Sequence, residues 1–163
     1  MKVGDVMSRR VITVGPEEKL RELWKIIFKA RINAVTVTDK QKKLLGIISR
    51  EDVLKLLYPD YEDLIEDFFS ITDFEEMEKR IDALGSKKSK DIMSKRVVFT
   101  RENTPIMRAL SRMIVRRLNQ LPVLDSDDRV VGMLTKGDVF YALFRSRLGP
   151  KVMLLKKQIL RKH

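Results

Sequence analysis

Two short tetrads hold the residue types best suited to binding chemistry: residues 49–52, SRED, and residues 135–138, TKGD. Each follows a β-rich run and precedes a helical one, so each falls where a strand ends and a helix begins. The N-terminus of a helix offers free N–H groups and partial positive charge to a phosphate. The hydroxyl that opens each tetrad adds a hydrogen bond, and the closing carboxylate suits two ribose hydroxyls. The same Ser/Thr-x-x-Asp spacing is also that of a capping box, which needs no ligand.

Composition removes much of the catalytic repertoire. The chain has no cysteine and one histidine, His163. Disulfides, Cys/His zinc sites, cysteine nucleophiles and nearly all histidine acid–base chemistry are therefore excluded. We expect no enzyme, no metal site and no catalytic cofactor. No apolar run approaches the roughly 20 residues of a membrane span, and the N-terminus lacks the apolar region of a signal peptide. A cytoplasmic protein is predicted.

The net charge of +11 is distributed unevenly along the 163 residues. Residues 1–57 and 89–163 are basic, whereas residues 58–88 carry 4 Lys and Arg against 10 Asp and Glu. The chain therefore consists of two basic segments separated by an acidic one.

The sequence is an internal duplication. A shift of 86 residues places residues 3–14 over 89–100, and the match continues without a gap to Leu57 over Leu143. The pairs of identical residues include Asp5/Asp91, Met7/Met93, Ser8/Ser94, Asn33/Asn119, Gly46/Gly132 and Asp52/Asp138. An ungapped match of this length, with the same apolar pattern throughout, indicates two copies of one structural unit.

Each copy predicts the order strand, helix, strand, strand, helix. Thr104 and Pro105 predict an N-cap followed by a proline at the first helical position, and Pro59 ends the last helix of the first copy. The predicted strands are 11–14, 34–38 and 44–49, then 97–100, 120–124 and 130–135; the predicted helices are 17–29 and 105–116, with second helices beginning at Arg50 and Lys136.

In this order and duplication, with a glycine in the strand that ends in each tetrad, the chain resembles a tandem CBS-domain pair, or Bateman module. The resemblance covers roughly residues 1–57 and 89–145. It implies an α+β fold in which two duplicated β-α-β-β-α units pack through their sheets with pseudo-two-fold symmetry. The predicted boundaries are 1–57 for the first repeat, 58–88 for an acidic helical connector, 89–147 for the second repeat and 148–163 for a basic C-terminal tail.

The resemblance further implies two clefts for adenosine-containing ligands, each built from both repeats. Cleft A would comprise Met7, Ile12, Ile32, Asn33, Asn119, Met133, Thr135, Lys136 and Asp138. Cleft B would comprise Ile47, Ser49, Asp52, Met93, Val98 and Leu118. Core packing explains the apolar members equally well.

The two clefts are not expected to be equal. Gly137 leaves room beside a phosphate, whereas Glu51 places a carboxylate at the matching position. Like charge in a partly desolvated cleft lowers affinity. We therefore expect the cleft with Asp138 to be the tighter one.

The segments outside the repeat read as amphipathic helices. Residues 60–69 and 72–84 are predicted to be helical, and Gly85 ends the second of them. In the tail, residues 151–163 place three apolar side chains on one helical face among basic residues. Such helices can pack on the rest of the chain or contact a partner, nucleic acid or an anionic membrane.

The function that follows is regulatory: the module senses AMP, ADP, ATP or S-adenosylmethionine and changes its own or a partner's conformation. A homodimer through the helices of the pair is expected. It would explain why these short helices carry several large apolar side chains: Trp24, Phe28, Phe140, Tyr141 and Phe144. The alternative is a nucleic-acid-binding protein that uses its basic surface and tail. A purely structural dimer with empty clefts is a third reading.

Overall fold

The computed structural model describes residues 1–57, 79 and 81–148. The connector helix predicted over 60–69, most of that predicted over 72–84, and the tail helix lie outside the described residues. Residues 81–84 are helical and the helix ends before Gly85, whose N–H donates to the Ile81 carbonyl at 2.9 Å. The predicted end of the second connector helix is therefore confirmed.

The structure contains two three-stranded sheets, as the duplication predicts. The first has the order β1 (Thr13–Val14), β2 (Ala34–Thr38), β3 (Leu44–Ser49), and the second the order β4 (Thr100–Arg101), β5 (Gln120–Leu124), β6 (Val130–Thr135). In each sheet the short first strand runs parallel to the central strand. Strands β2 and β3 are antiparallel, with an irregularity in register after Val37.

The helices are α1 (Leu20–Lys29), α2 (Arg50–Leu57), α3 (Ser89–Ile92), α4 (Ile106–Val115) and α5 (Lys136–Leu148), with a 3-10 turn at Val3–Asp5. The α+β fold class and the starts of α2 and α5 are confirmed. The hairpin strands β2, β3, β5 and β6 have the predicted bounds.

Three local predictions were wrong. Residues 11–14 and 97–100 do not form four-residue strands, because only two residues of each first strand pair with its neighbour. Helix α1 begins at Leu20 rather than residue 17. Thr104 is not the N-cap of α4; Pro105 is, with an extended ψ of 135°, while the Thr104 hydroxyl accepts a bond from Arg101 N–H at 3.4 Å.

The described residues form two compact units that do not follow the repeat boundaries. The β4–β6 unit comprises residues 1–11, 98–127 and 131–148; the β1–β3 unit comprises 12–57, 79, 81–97 and 128–130. Each unit therefore combines the sheet of one repeat with the opening segment of the other repeat. The opening segment is residues 1–11 in the first repeat and residues 89–97 in the second.

Backbone hydrogen bonds hold each opening segment in its unit. In the β4–β6 unit, Val3 N–H donates to the Thr104 carbonyl at 2.9 Å. In the β1–β3 unit, Ser89 N–H donates to the Glu18 carbonyl at 2.8 Å. The two positions, 3 and 89, are equivalent in the repeat, so the same join is made twice.

Each unit has its own hydrophobic core. In the β1–β3 unit the inner face of α1, with Leu23 and Ile27 fully buried, packs with Val35, Val37 and Ile48 of the sheet. In the β4–β6 unit the buried core is Val3, Met7, Ile106, Ala109, Leu110, Met113, Leu121, Val123, Leu134 and Val139. The helical apolar spacing of the sequence therefore marks the buried faces correctly.

Across residues 1–57, 79 and 81–148, the helices are too short or too polar for any of them to cross a membrane.

Candidate ligand-binding sites

A methionine packed against a glycine begins the first site, in the β4–β6 unit. Ser8 and Met133 of β6 exchange two backbone hydrogen bonds of 2.9 Å each, which brings the preceding Met7 onto the strand. A Cβ on Gly132 would lie 2.5 Å from Met7 Sδ and 3.1 Å from the Ser8 carbonyl oxygen. The Met7 thioether therefore occupies the space that a side chain at position 132 would take.

The end of β6 carries the predicted hydroxyl–carboxylate pair. Asp138 Oδ2 accepts bonds from the Thr135 N–H and the Thr135 hydroxyl, both at 2.8 Å. Asp138 N–H donates back to Thr135 Oγ1 at 3.0 Å. The capping box is therefore present. It uses one carboxylate oxygen, and within the described part of the chain Asp138 Oδ1 accepts no hydrogen bond.

The first residue of α5 is joined to the loop before β5. Lys136 N–H donates to the Asn119 carbonyl at 3.0 Å, and its ammonium lies 3.5 Å from Asn119 Oδ1. Six predicted residues thus converge in one unit, and we call them the Asp138 cluster: Met7, Asn119, Met133, Thr135, Lys136 and Asp138.

The β1–β3 unit repeats the methionine–glycine arrangement. Ile47 of β3 and Ser94 exchange backbone bonds of 3.1 and 2.9 Å. A Cβ on Gly46 would lie 2.6 Å from Met93 Sδ. The chain thus builds the same contact twice, each time from residues of both repeats.

The second capping box matches the first closely. Asp52 Oδ2 accepts from the Ser49 N–H and hydroxyl at 2.7 Å each, and Asp52 N–H donates to Ser49 Oγ at 3.1 Å. Arg50 N–H donates to the Asn33 carbonyl at 2.9 Å. We call Ile32, Asn33, Ile47, Ser49, Asp52 and Met93 the Asp52 cluster.

Arg50 differs from its counterpart Lys136 in where its charge lies. Its guanidinium donates to the Ile32 carbonyl at 3.2 Å and sits 5.6 Å from the centre of the Phe28 ring. Arg50 Nε is buried and has no hydrogen-bond partner among the described residues. The charge is therefore held against the end of α1.

The predicted residues divide between the two units. Of cleft A, Ile12, Ile32 and Asn33 belong to the β1–β3 unit, and the other six form the Asp138 cluster. Of cleft B, Val98 and Leu118 belong to the β4–β6 unit, where both pack against the core. Ile12 is 40% exposed. The membership of the two clefts stays a prediction.

The contacts that build these clusters could not be predicted from the sequence. The close approach of Met7 to Gly132, and the pairing of Ser8 with β6, were not predicted. Identity of both residue pairs between the copies was the available signal, although it does not say which residues touch.

The comparisons with known proteins agree with this arrangement. The family model of the CBS domain matches residues 3–59 and 90–145. Because these matches cover more than half of the chain, it belongs to the CBS-domain family, as a tandem pair. MJ1426 of Methanocaldococcus jannaschii is 29% identical over 88% of this chain and 91% of that protein.

One related enzyme and two solved structures extend the comparison. Inosine-5'-monophosphate dehydrogenase of the same organism is 30% identical over 85% of this chain, but the match spans 23% of the enzyme. The structure of CBSX2 in complex with AMP has a TM-score of 0.70 and 25% identity, covering 90% of this chain and 98% of that one. The CBS domain pair of MJ0100, in complex with 5'-methylthioadenosine and S-adenosylmethionine, has a TM-score of 0.67 and 25% identity, covering 88% and 99%.

Proposed function

We propose that this chain is a regulatory module that binds an adenosine-containing ligand, either an adenosine nucleotide (AMP, ADP or ATP) or S-adenosylmethionine. The observation that carries the proposal is a duplicated one. In each unit a methionine packs on a strand glycine, and the same strand ends in a capping carboxylate with one oxygen left over. Each cap leaves one carboxylate oxygen available to a ligand, next to the strand on which the methionine packs.

The chemistry of the clusters suits the parts of such a ligand. A methionine side chain is polarizable and makes favourable contacts with aromatic rings, so it can pack against the ring of an adenine. Asp138 Oδ1 can accept from a ribose hydroxyl. The N–H of Gly137 has no acceptor among the described residues and lies at the positive end of α5, where a phosphate is favoured.

Relatives supply independent support for this ligand class. CBSX2 has been crystallised with AMP, and the MJ0100 pair with 5'-methylthioadenosine and S-adenosylmethionine. Both cover nearly the whole length of their own chains in the match. We assign this chain ligand binding rather than a reaction, and the match to inosine-5'-monophosphate dehydrogenase covers less than a quarter of that enzyme.

Regulation would act through the opening segments. A ligand shifts a conformational equilibrium only if it binds two states with different affinity. A ligand that contacts both Met7 and Asp138 joins the opening segment of the first repeat to the last strand and helix of the second. Its binding therefore opposes any state in which that segment separates from β6.

Thermal unfolding tests the proposal directly. The protein is heated with AMP, ADP, ATP, S-adenosylmethionine and 5'-methylthioadenosine in turn. A ligand that binds only the native state at about 100 times its Kd adds roughly 2.7 kcal/mol to the free energy of unfolding. We expect a raised midpoint with at least one of the five.

Two variants make the result specific. In Asp138→Ala the ligand-induced shift should fall, although loss of the cap also lowers the ligand-free midpoint by an amount equivalent to about 1 kcal/mol. Asp39→Ala is the matched control, because Asp39 Oδ1 accepts from two backbone N–H groups in the β2–β3 turn. That variant should lose stability but keep the shift. Absence of a shift with all five ligands would reject the proposal, and steeply salt-dependent binding of nucleic acid would favour the alternative.

A further inference from the structure

We infer that the two clusters select their ligands by charge: the Asp138 cluster takes a phosphorylated adenosine ligand, and the Asp52 cluster takes an adenosine ligand whose 5' substituent carries no net negative charge. This inference rests on the proposed function and goes beyond it by assigning a ligand class to each cluster. Both classes occur among relatives, since CBSX2 was crystallised with AMP and MJ0100 with 5'-methylthioadenosine and S-adenosylmethionine.

The backbone does not distinguish the two clusters. The three hydrogen bonds of the Ser49–Asp52 cap measure 2.7, 2.7 and 3.1 Å, and those of the Thr135–Asp138 cap measure 2.8, 2.8 and 3.0 Å. The distance from a Cβ placed on the strand glycine to the methionine Sδ is also nearly the same, 2.6 Å at Gly46 and 2.5 Å at Gly132. The side chains beside the caps, by contrast, differ between the two clusters.

The second residue of each helix supplies the largest difference. Glu51, in the first turn of α2, is exposed and carries a negative charge. Its counterpart Gly137 carries no side chain. A phosphate near the Asp52 cluster would be repelled by this carboxylate, and we expect the repulsion between like charges to lower affinity by about tenfold. A neutral thioether or a positively charged sulfonium at the same point would meet no repulsion.

The first residue of each helix acts in the same direction. Arg50 donates to the Ile32 carbonyl and lies over the Phe28 ring, so its charge is committed to the end of α1. Lys136 makes one long contact of 3.5 Å with Asn119 Oδ1, and its ammonium has three donors. In the Asp138 cluster the Lys136 ammonium is therefore available to an anionic ligand. In the Asp52 cluster the Arg50 guanidinium is bound at Ile32 and Phe28, and the Glu51 carboxylate adds a negative charge.

The geometry at Gly137 permits a direct exchange of this feature. A Cβ at this position would have Thr135 Oγ1 as its nearest neighbour, at 3.5 Å, which is ordinary van der Waals contact. The backbone there is not left-handed, so a Cβ causes no backbone strain. Gly137→Glu and Gly137→Gln should therefore fold, and they differ from each other in charge but hardly in shape.

Calorimetric titration with AMP and with 5'-methylthioadenosine tests the inference. The two ligands share adenosine and differ at the 5' end, so the ratio of Kd for 5'-methylthioadenosine to Kd for AMP measures the charge preference. Asp52→Ala isolates the Asp138 cluster, and Asp138→Ala isolates the Asp52 cluster. We expect the ratio to be about tenfold higher in Asp52→Ala than in Asp138→Ala.

The charge variants then identify the cause. In the Asp52→Ala background, Gly137→Glu should lower the ratio about tenfold and Gly137→Gln should leave it unchanged. In the Asp138→Ala background, Glu51→Gln should raise it. Equal ratios for the two isolated clusters, or equal effects of Glu and Gln at position 137, would overturn the charge assignment while leaving adenosine binding intact. Failure of both ligands to bind any of these proteins would overturn this inference, and the proposed function falls with it only if ADP, ATP and S-adenosylmethionine also leave the unfolding midpoint of the unmodified protein unchanged.

Discussion

The hydroxyl of Thr36 is a local cost in the β1–β3 unit. Thr36 is fully buried in the central strand β2, and its Oγ1 has no hydrogen-bond partner among the described residues. The second repeat has Pro122 at the equivalent position, which carries no hydroxyl. A buried hydroxyl without a partner loses its hydration and gains nothing in return.

Thr36→Val should therefore stabilise the protein by about 1 kcal/mol, since valine keeps the shape and removes the unpaired oxygen. Urea unfolding gives the change in free energy. Thr13→Val, at an exposed position of β1, is the control and should change it by less than about 0.5 kcal/mol. A loss of stability in Thr36→Val would mean that the hydroxyl has a partner after all.

The glycine beneath each methionine leads to a second prediction. Gly132→Ala places a methyl group 2.5 Å from Met7 Sδ and 3.1 Å from the Ser8 carbonyl, so the Met7 side chain or the Ser8 backbone must move. Overpacking of this kind destabilises by about 1–3 kcal/mol. Gly15→Ala is the control, because nothing lies within 4 Å of its Cβ position.

A double-mutant cycle separates the two neighbours of Gly132. If the Met7 side chain is the main obstacle, Met7→Ala should recover part of the loss when combined with Gly132→Ala. Additive effects would show that the Ser8 backbone is the obstacle instead. Differential denaturation of the four proteins supplies the coupling free energy.

At the scale of elements, length decides what the sequence could predict. The strands β2, β3, β5 and β6 have five or six residues each, enough for their β-rich pattern to be read. The first strands have two residues, and α3 and the 3-10 turn have four and three, which is only about one turn of a helix and too short to show a periodic pattern. These short elements exist because other parts of the chain pair with them, and no local pattern contains that information.

An ion-pair cluster fastens the chain before α1 to α3 and gives the third prediction. Glu17 accepts from Lys88 at 2.6 Å and from Lys90 at 2.5 Å. The hydrogen bond from Lys88, followed by that from Lys90, lowers the pKa of Glu17 from 4.5 to about 2. Because the folded pKa lies below the unfolded one, the contribution to stability is full above about pH 4.5 and disappears as the pH falls towards 2.

Carboxyl chemical shifts followed against pH by NMR should show Glu17 titrating near pH 2, and in Lys88→Met closer to its ordinary range. The effect on stability should be small and weaker at high salt, since all three groups are exposed. Lys87→Met removes a neighbouring exposed lysine and is the control. Titration of Glu17 near pH 4.5 in the unmodified protein would show that the ion pairs do not form in solution.

At the scale of the whole molecule, we expect a homodimer. Phe140 and Phe144 lie one turn apart on α5 and are 47% and 54% exposed, and Phe28 is 39% exposed. Trp24 is different, because it packs partly against the core of its own unit and lies 5.0 Å from the Phe28 ring. Neighbouring exposed aromatic residues are typical of a protein–protein interface.

Phe144→Gln should shift the protein towards a monomer in size-exclusion chromatography with light scattering. Adding Phe140→Gln to the same protein should increase the fraction of monomer. Truncating a large apolar side chain at an interface commonly costs about 2 kcal/mol or more, roughly thirtyfold in the dimer dissociation constant. Arg145→Gln, at an exposed neighbouring position, is the control. A monomeric unmodified protein at high concentration would contradict the expectation of a dimer.

The sequence revealed the duplication but not how the compact units are composed. Sliding the chain by 86 residues identified two copies, since identical pairs such as Gly46/Gly132 recur at that spacing. The division of the structure after positions 11 and 97 could not be seen in the same way. The hydrogen bonds from Val3 to Thr104 and from Ser89 to Glu18 place each opening segment in its unit. These bonds join residues that are far apart in the sequence, and a repeat pattern does not indicate which distant residues pair.

Because the β4–β6 unit combines segments that are far apart in the sequence, these segments become available for packing at different times during translation. The opening segment is synthesised first, yet the strand that pairs with Ser8 ends only at Thr135. At about 5–20 residues per second, these first residues leave the ribosome on the order of ten seconds before their partner exists. Until then Val3 and Met7 are exposed to solvent or to chaperones, whereas the β1–β3 unit has nearly all of its chain by residue 97. The β4–β6 unit is therefore completed by residues made well before its own strands, and a nascent chain stalled before β6 leaves Val3 and Met7 unburied.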